Sequence, residues 1–481
     1  MRRLPHRLLT AATASLLLAA ACSSGSAGPS TTVTAVPSSS TTAVAGEPVA
    51  GAAGVGDPYY PGLGNGGYDV GHYDLELAID PATGTVDAAA TIAATATLPL
   101  ASFNLDLVGL VVESVTVDGV AAGHDRRDGE LTVVPDRPLP EGSEFTVTVD
   151  YAGAPTSNAF APLGLRNGWI ESEGTIYVIG EPDGARLWFP ANDHPTDKAT
   201  FRFTLVVPAG TTAVAPGRLV DASEEAGSAT FVYDLDVPTA TYLATVVVGD
   251  HVRVDHGTVG GVLYRDYLPP SLAADPPSAF AIAPDVVDLL AEVLGPFPYD
   301  EYGHIVVPDF PGALENPTLS IFGDTSIFEI VVVHEVAHQW FGDAVSPATW
   351  GDIWLNEGFA TYAEWLWIER TVSPEAARAT IEGAYGSMNR AGRVAPGDPG
   401  PASLFAPSVY DRGGLVLHAL RAEIGDDAFF DVLRTYVDRY SGGSASTDDF
   451  LALASEVAGL DVRPVLEPWL YDPEMPPLPT G

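Results

Sequence analysis

The stretch His334-Glu335-Val336-Ala337-His338, followed by Glu357 after a gap of eighteen residues, carries the densest chemistry in this 481-residue chain. Two histidines four apart on a helix are separated by one turn and about 40° of rotation, so both imidazoles leave the same face. That face can hold one zinc ion, and the glutamate beside the first histidine points to the same cleft as a general base. Trp354-Leu355-Asn356-Glu357-Gly358-Phe359-Ala360-Thr361-Tyr362 adds a carboxylate at the start of a second helical pattern, the kind of third ligand a hydrolytic zinc takes. The plainer alternative is a buried, hydrogen-bonded histidine pair and a helix N-terminal acid favoured by the macrodipole. Against it, Ile330-Val331-Val332-Val333 runs apolar straight into these ionisable groups, which are costly there unless a metal or partner satisfies them.

The elements that position these residues follow from periodicity. From about 57 to 250 the pattern has period two, as in His72 to Ile79, Phe103 to Leu107 and Phe145 to Tyr151, punctuated by Pro and Gly; this predicts half-buried strands. After about 255 the period becomes helical. Helices are expected over Ser278 to Leu294, about 326–341, 357–370, from Ser373-Pro374-Glu375 to about Arg390, then Leu415 to Glu423, Ala428 to Tyr440 and Thr447 to Ala458. Ser373 reads as an N-cap with proline at the first helical position. Tyr302 to Val307 reads as a strand. The fold class is therefore multidomain β plus α+β, with a β-sheet-rich domain over 57–254 and a mixed, mostly helical domain over 255–481 that carries the metal.

Such a length exceeds what one hydrophobic core usually organises. At 46% apolar and 18% charged residues the composition is globular, and the formal net charge of −41 repels phosphate backbones, which excludes nucleic acid as a partner. Lys198 is the sole lysine. Residues 1–21 read as a signal peptide, with Arg2, Arg3 and Arg7 ahead of an apolar run too short to span a bilayer. Cys22, the single cysteine, directly follows the cleavage site and is similar to the lipidation cysteine of bacterial lipoproteins, so a lipid anchor to a membrane is expected, with plain secretion as the alternative. Residues 22–56, rich in Ser, Thr, Ala and Gly, read as a flexible tether. The expected location is outside the cytoplasm.

Five further stretches complete the pattern. Gly312-Ala313-Leu314-Glu315-Asn316 precedes the histidine helix, and Tyr410-Asp411-Arg412-Gly413 follows it. Glu181-Pro182-Asp183-Gly184-Ala185-Arg186, Phe189-Pro190 and Asp193-His194-Pro195 lie in the β region. Together with His334 to Gly342 and Trp354 to Tyr362, these closely resemble the aminopeptidase N family of zinc peptidases (gluzincins), in order as well as in type, over most of residues 60–470. The resemblance implies a β-sheet-rich N-terminal domain packed on a thermolysin-like catalytic domain, with His334, His338 and Glu357 as ligands of one Zn²⁺. Glu335 would take a proton from the attacking water and return it to the leaving amine, and the Tyr410 hydroxyl would stabilise the oxyanion. Glu315 and Glu181 would hold the substrate's free α-ammonium. Gly312, Ala313 and Leu314, with Asn316 beside them, would contact the peptide as an added strand.

The family commonly has Met where Leu314 stands, a volume-conserving swap. The family's large helical C-terminal domain is expected to be missing after the metal domain's helices, which would leave a more open cleft. Glu364, seven residues past Glu357, is expected either to orient a ligand histidine or to face solvent; Asn356 reads as a helix cap, and His304 and His418 as structural. The expected activity is removal of N-terminal residues from peptides with a free N-terminus, with no obligate protein partner evident. The rivals are an epoxide hydrolase of the leukotriene A4 hydrolase type and a surface lipoprotein that binds peptides without cleaving them.

Overall fold

Alternating sequences become sheet where one face of each strand can be buried. In the β-rich half, Tyr68–Asp80 pairs antiparallel with Thr85–Ala96 and parallel with Lys198–Pro208, at the centre of an eight-stranded sheet. Tyr73, Leu75, Leu77 and Ile79 face the core while Glu76 and Asp80 face out. A four-stranded and a five-stranded sheet complete this half. The computed structural model describes residues 46–160, 165–391 and 394–479. The expected signal peptide, Cys22 and the expected tether as far as residue 45 lie outside the described residues.

The last part of the expected tether, residues 46–56, is not free chain. Val49 and Ala50 form a short strand parallel to Leu100–Asp106, and the Gly51 N–H donates to the Ser102 carbonyl at 2.8 Å. Backbone pairing to a sheet edge uses groups that every residue carries, so a low-complexity composition gives no sign of it.

A second five-stranded sheet joins the halves. Its order is Val252–Val259, Val262–Leu268, Glu301–Val307, Ser320–Gly323 and, at one edge, Ala313–Leu314. Its three central strands are parallel, and both faces are covered, as parallel strands require. Tyr267, Ile305, Val307 and Ile321 belong to the core of the β-rich half; Leu268, Tyr302, Val306 and Phe322 belong to a second core among the helices.

The helices are α1 (Pro270–Ala273), α2 (Ala283–Leu294), α3 (Glu329–His338), α4 (Trp354–Thr371), α5 (Pro374–Ala391), α6 (Pro407–Ile424), α7 (Asp426–Tyr440), α8 (Thr447–Ala458) and α9 (Arg463–Tyr471). Ser373 caps α5 as read, its hydroxyl accepting from the Ala376 N–H at 3.1 Å. The histidine helix is shorter than expected, and Glu357 lies in the first turn of a helix that begins at Trp354. Asn356 is therefore no cap but a helical residue whose amide donates to the Tyr242 hydroxyl at 3.4 Å.

Helix α6 starts eight residues before its apolar pattern does. Gly413 and Gly414 weaken local helix propensity, yet tertiary contact demands them. A Cβ on Gly358 of α4 would stand 2.8 Å from the Gly413 Cα, and one on Gly414 would stand 2.9 Å from the Trp365 ring. Helix α9 was hidden by Pro464 and Pro468. It is held by Arg412, which is fully buried and donates to the carbonyls of Trp469 (2.6 Å), Pro468 (3.1 Å) and Asp472 (2.6 Å).

Asp266 ties neighbouring strands of the joining sheet. It accepts from the His304 N–H (3.1 Å), pairs with His304 Nδ1 (2.7 Å) and pairs with His256 Nε2 (2.7 Å). Burial opposes its charge, but His304 and His256 hold its carboxyl far below the usual carboxylate range. Because the folded-state pKa is depressed, the stabilisation is complete above the unfolded value of about 3.9 and is lost as pH falls below it. Asp266→Ala should lower the urea-unfolding free energy at neutral pH by about 1–3 kcal/mol. The difference between variant and parent should shrink below about pH 4; a pH-independent difference would remove the ionised carboxylate from the explanation.

Candidate active site

Helix α3 turns Val332, Val333, Val336 and Ala337 into the helical core, which leaves His334, Glu335 and His338 toward the cleft between the halves. The Glu357 Oε2 lies 3.2 Å from His334 Nε2 and 3.5 Å from His338 Nε2. Among the described residues this trio is the one group whose ligand atoms, three or more, all lie within 4.8 Å of one another.

The far side of each ring is fixed. His334 Nδ1 meets Glu364 Oε1 at 2.7 Å, and His338 Nδ1 donates to the Phe341 carbonyl at 2.9 Å. With Nδ1 engaged, Nε2 is the nitrogen each imidazole presents to Glu357, an arrangement typical of zinc-bound histidine. Glu364 is thus the orienting acid rather than a solvent-facing one.

The electrostatics match the donor set. Burial lowers the histidine pKa values, but Glu315 and Glu357 overcome it and push His338 up to about 9; Glu357 and Glu364 raise His334. Burial opposes the Glu357 carboxylate, yet His338 and His334 hold it down to about 2. A divalent cation held among these groups would replace imidazole protons in balancing the buried carboxylates. Two imidazole nitrogens and one carboxylate are a donor set that fits one zinc ion. Burial pushes Glu335 up to about 8 against the pull of both histidines, and its Oε2 has no hydrogen-bond partner.

Two more carboxyls converge here from different elements. Glu315 follows the edge strand Ala313–Leu314, and Glu181 comes from the β-rich half beyond the strand Thr175–Ile179. Each is at most 9% exposed and has an Oε1 with no partner. Burial, then Glu315, Glu357 and Glu335, raise the Glu181 carboxyl well above its ordinary value. Burial also raises Glu315. Tyr410, in the first turn of α6, stacks on His334 with ring centroids 5.8 Å apart.

The remaining residues of the Gly312–Asn316 stretch divide. Ala313 and Leu314 pair antiparallel with Phe322 and Ile321, with their other edge at the margin of the sheet, and the Gly312 carbonyl accepts from Gly323 at 2.9 Å. Asn316 is fully buried, its amide donating to the Leu243 carbonyl at 2.8 Å. It braces the strand against the β-rich half.

Sequence reasoning missed three contributors. Gln339 links α3 to the edge strand: its Nε2 donates to the Glu315 carbonyl and its Oε1 accepts from the Thr318 N–H, both at 2.9 Å. Its place directly after His338 was the available signal. Lys198 reaches from the β-rich half to the loop after α3, donating to the carbonyls of Asp343 (2.7 Å) and Ala344 (3.0 Å). Its being the sole lysine was a signal without a direction. The third is the Gly358–Gly413 contact, which brings Tyr410 within reach of the histidines.

Residues 70–243 match the Peptidase M1 N-terminal domain and residues 279–469 the Peptidase family M1 domain. The chain is 26% identical to aminopeptidase M1-B of Oryza sativa subsp. japonica over 82% of its own length and 49% of the relative's. It is 29% identical to aminopeptidase B of Mus musculus over 64% of its length and 52% of the relative's. The chain thus spans about half the length of these relatives. Its fold is similar to a mutant M1 zinc metallopeptidase from Deinococcus radiodurans bound to a Tyr-Ser-Ala substrate: TM-score 0.84, 34% identity, covering 89% of this chain and 100% of the other. A two-domain M1 zinc metallopeptidase bound to L-tryptophan matches with TM-score 0.85 and the same identity and coverage.

Glu364→Gln should weaken zinc binding by about 10–100-fold in chelator competition; unchanged affinity would make its contact with His334 incidental. Lys198→Met should lower unfolding free energy by about 1–3 kcal/mol, because buried carbonyls lose their donor.

Proposed function

Because the chain belongs to the peptidase M1 family, and carries that family's zinc metallopeptidase fold, we propose that it is a zinc-dependent aminopeptidase that releases N-terminal residues from peptides. The observation that carries this reading is the pair Glu181 and Glu315, two buried carboxyls with unpartnered oxygens beside the His334–His338–Glu357 trio. Buried acids without a counter-charge are costly, so the pair favours a cationic occupant that brings its own hydrogen-bond donors. A peptide's α-ammonium is such an occupant. Pinned there, it sets the first peptide bond over the ligand trio and leaves no space for a preceding residue, which makes an exopeptidase of the site.

Each side chain then has a role. His334, His338 and Glu357 hold the zinc, which when bound supplies Lewis acidity to the scissile carbonyl and lowers the pKa of water. Glu335 accepts the proton of the attacking water and delivers it to the departing amine nitrogen, a transfer worth about 10²–10⁴-fold in rate. The Tyr410 hydroxyl donates to the oxygen that gains charge. The open edge of Ala313–Leu314 takes the peptide backbone as a further strand.

We also infer export, with residues 1–21 as the signal peptide and Cys22 as the lipid attachment point to a membrane. The basic start, the short apolar run and the single cysteine after small residues support this. Among the described residues no helix is long and apolar enough to cross a membrane.

Glu335→Gln should retain zinc and lose at least about 10²-fold in kcat on aminoacyl arylamides; parent-like turnover would overturn the role given to Glu335. N-acetylated arylamides should be inert to the parent enzyme. Their hydrolysis would count against ammonium recognition by Glu181 and Glu315.

A further inference from the structure

A cavity of about 460 Å³ lies at the carboxyl ends of the parallel strands Glu301–Val307 and Ser320–Gly323, and it shares no lining residue with the site described above. In open α/β sheets that end of the strands is where ligands bind. Leu272, Val307 and Pro308 give the cavity an apolar wall, and Glu173, Asp250 and Asp324 give it an acidic one. All three acids are exposed, and among the described residues no lysine or arginine lines the cavity.

His251 faces the same space and is only 6% exposed. Its Nε2 lies 2.9 Å from the Val306 carbonyl, which can only accept, so Nε2 carries the proton and Nδ1 is left as an acceptor. Nδ1 is buried and has no hydrogen-bond partner. Burial lowers the pKa of the ring against the pull of Val306 and Asp250, which keeps it neutral at neutral pH.

Gly249 marks the place a partner would take. A Cβ built on it would stand 3.0 Å from Thr175 Oγ1 and 3.3 Å from His251 Nδ1, and Thr175 also lines the cavity. Two polar atoms thus converge on a hollow that the missing side chain leaves open. A buried acceptor without a donor is costly, so the hollow favours a group that brings N–H or O–H. The acidic wall favours a positive one. Among the described residues the metal trio is the one cluster of three ligand atoms within reach of one another, so the donor set here does not suit a bare metal ion.

We propose that this cavity is a binding site for a primary ammonium on a short aliphatic stem. The ammonium donates to His251 Nδ1 and Thr175 Oγ1, the three acids balance its charge, and the stem lies on Leu272, Val307 and Pro308. The assignment stands apart from the aminopeptidase reading.

The test uses the zinc-loaded full chain with isotopically labelled histidine, the His251 ring signal being identified by its loss in His251→Gln. Butylamine should shift the Nδ1 resonance saturably. Tetramethylammonium, which has the charge without a donor, and n-butanol, which has a donor without the charge, should not. Gly249→Ala, whose methyl fills the hollow, and Thr175→Val, which removes one acceptor, should each weaken butylamine binding by about 10-fold or more. Both variants should keep the parent's urea midpoint and arylamide turnover. No saturable shift with butylamine, equal shifts with all three probes, or parent-like affinity in both variants would overturn the site and leave the hollow to solvent.

Discussion

Four carboxyls and two imidazoles are buried together at the junction of the two halves, and the apolar interior cannot leave their charges uncompensated. Glu335 and Glu357 are contributed by helices of the catalytic half, Glu315 by a strand end, and Glu181 by the β-rich half. Among the described residues, the counter-charges at that point come from the protonated forms of His334 and His338, with Lys198 acting on nearby Asp343. In the function proposed above, a divalent cation among His334, His338 and Glu357 and an ammonium against Glu181 and Glu315 would supply the missing positive charge. On that proposal, metal binding, substrate orientation and the preference for a free N-terminus all follow from one electrostatic deficit.

Holding so many ionisable groups in place requires rigid support, and backbone contacts supply it. The ring nitrogens that do not face the trio are tied to Glu364 and to the Phe341 carbonyl. Gln339 fastens the edge strand to α3, and Lys198 fastens the loop after α3 to the β-rich half. Helices α4 and α6 approach closely because Gly358 and Gly413 place no side chain between them. A bulkier residue at either position would move Tyr410 away from His334, so these glycines serve the chemistry through the distance they allow.

Much of the site was legible because its chemistry is written in local spacing. A four-residue interval puts His334 and His338 on one helical face whatever surrounds them. The β-rich half was equally legible, since Tyr73 to Ile79 and Phe145 to Tyr151 alternate as half-buried strands must. Legibility failed where tertiary contact outweighs propensity. The start of α6 was obscured by glycines that exist for packing, α9 by Pro464 and Pro468, and the docked segment 46–56 by a composition that resembles a linker. The side chain of Asn316 is occupied by the Leu243 carbonyl, a partner 73 residues away that no local pattern announces.

The sequence by itself determined the donor types, the helical face that carries two of them and the order of the motifs, because these depend on spacing along the backbone alone. Tertiary structure decided which acids are orphaned, which nitrogen each histidine presents, and that Glu181 from one half meets Glu315 from the other. Those outcomes depend on burial and on contacts between residues far apart in the chain, and both exist only once the two halves have packed across the joining sheet.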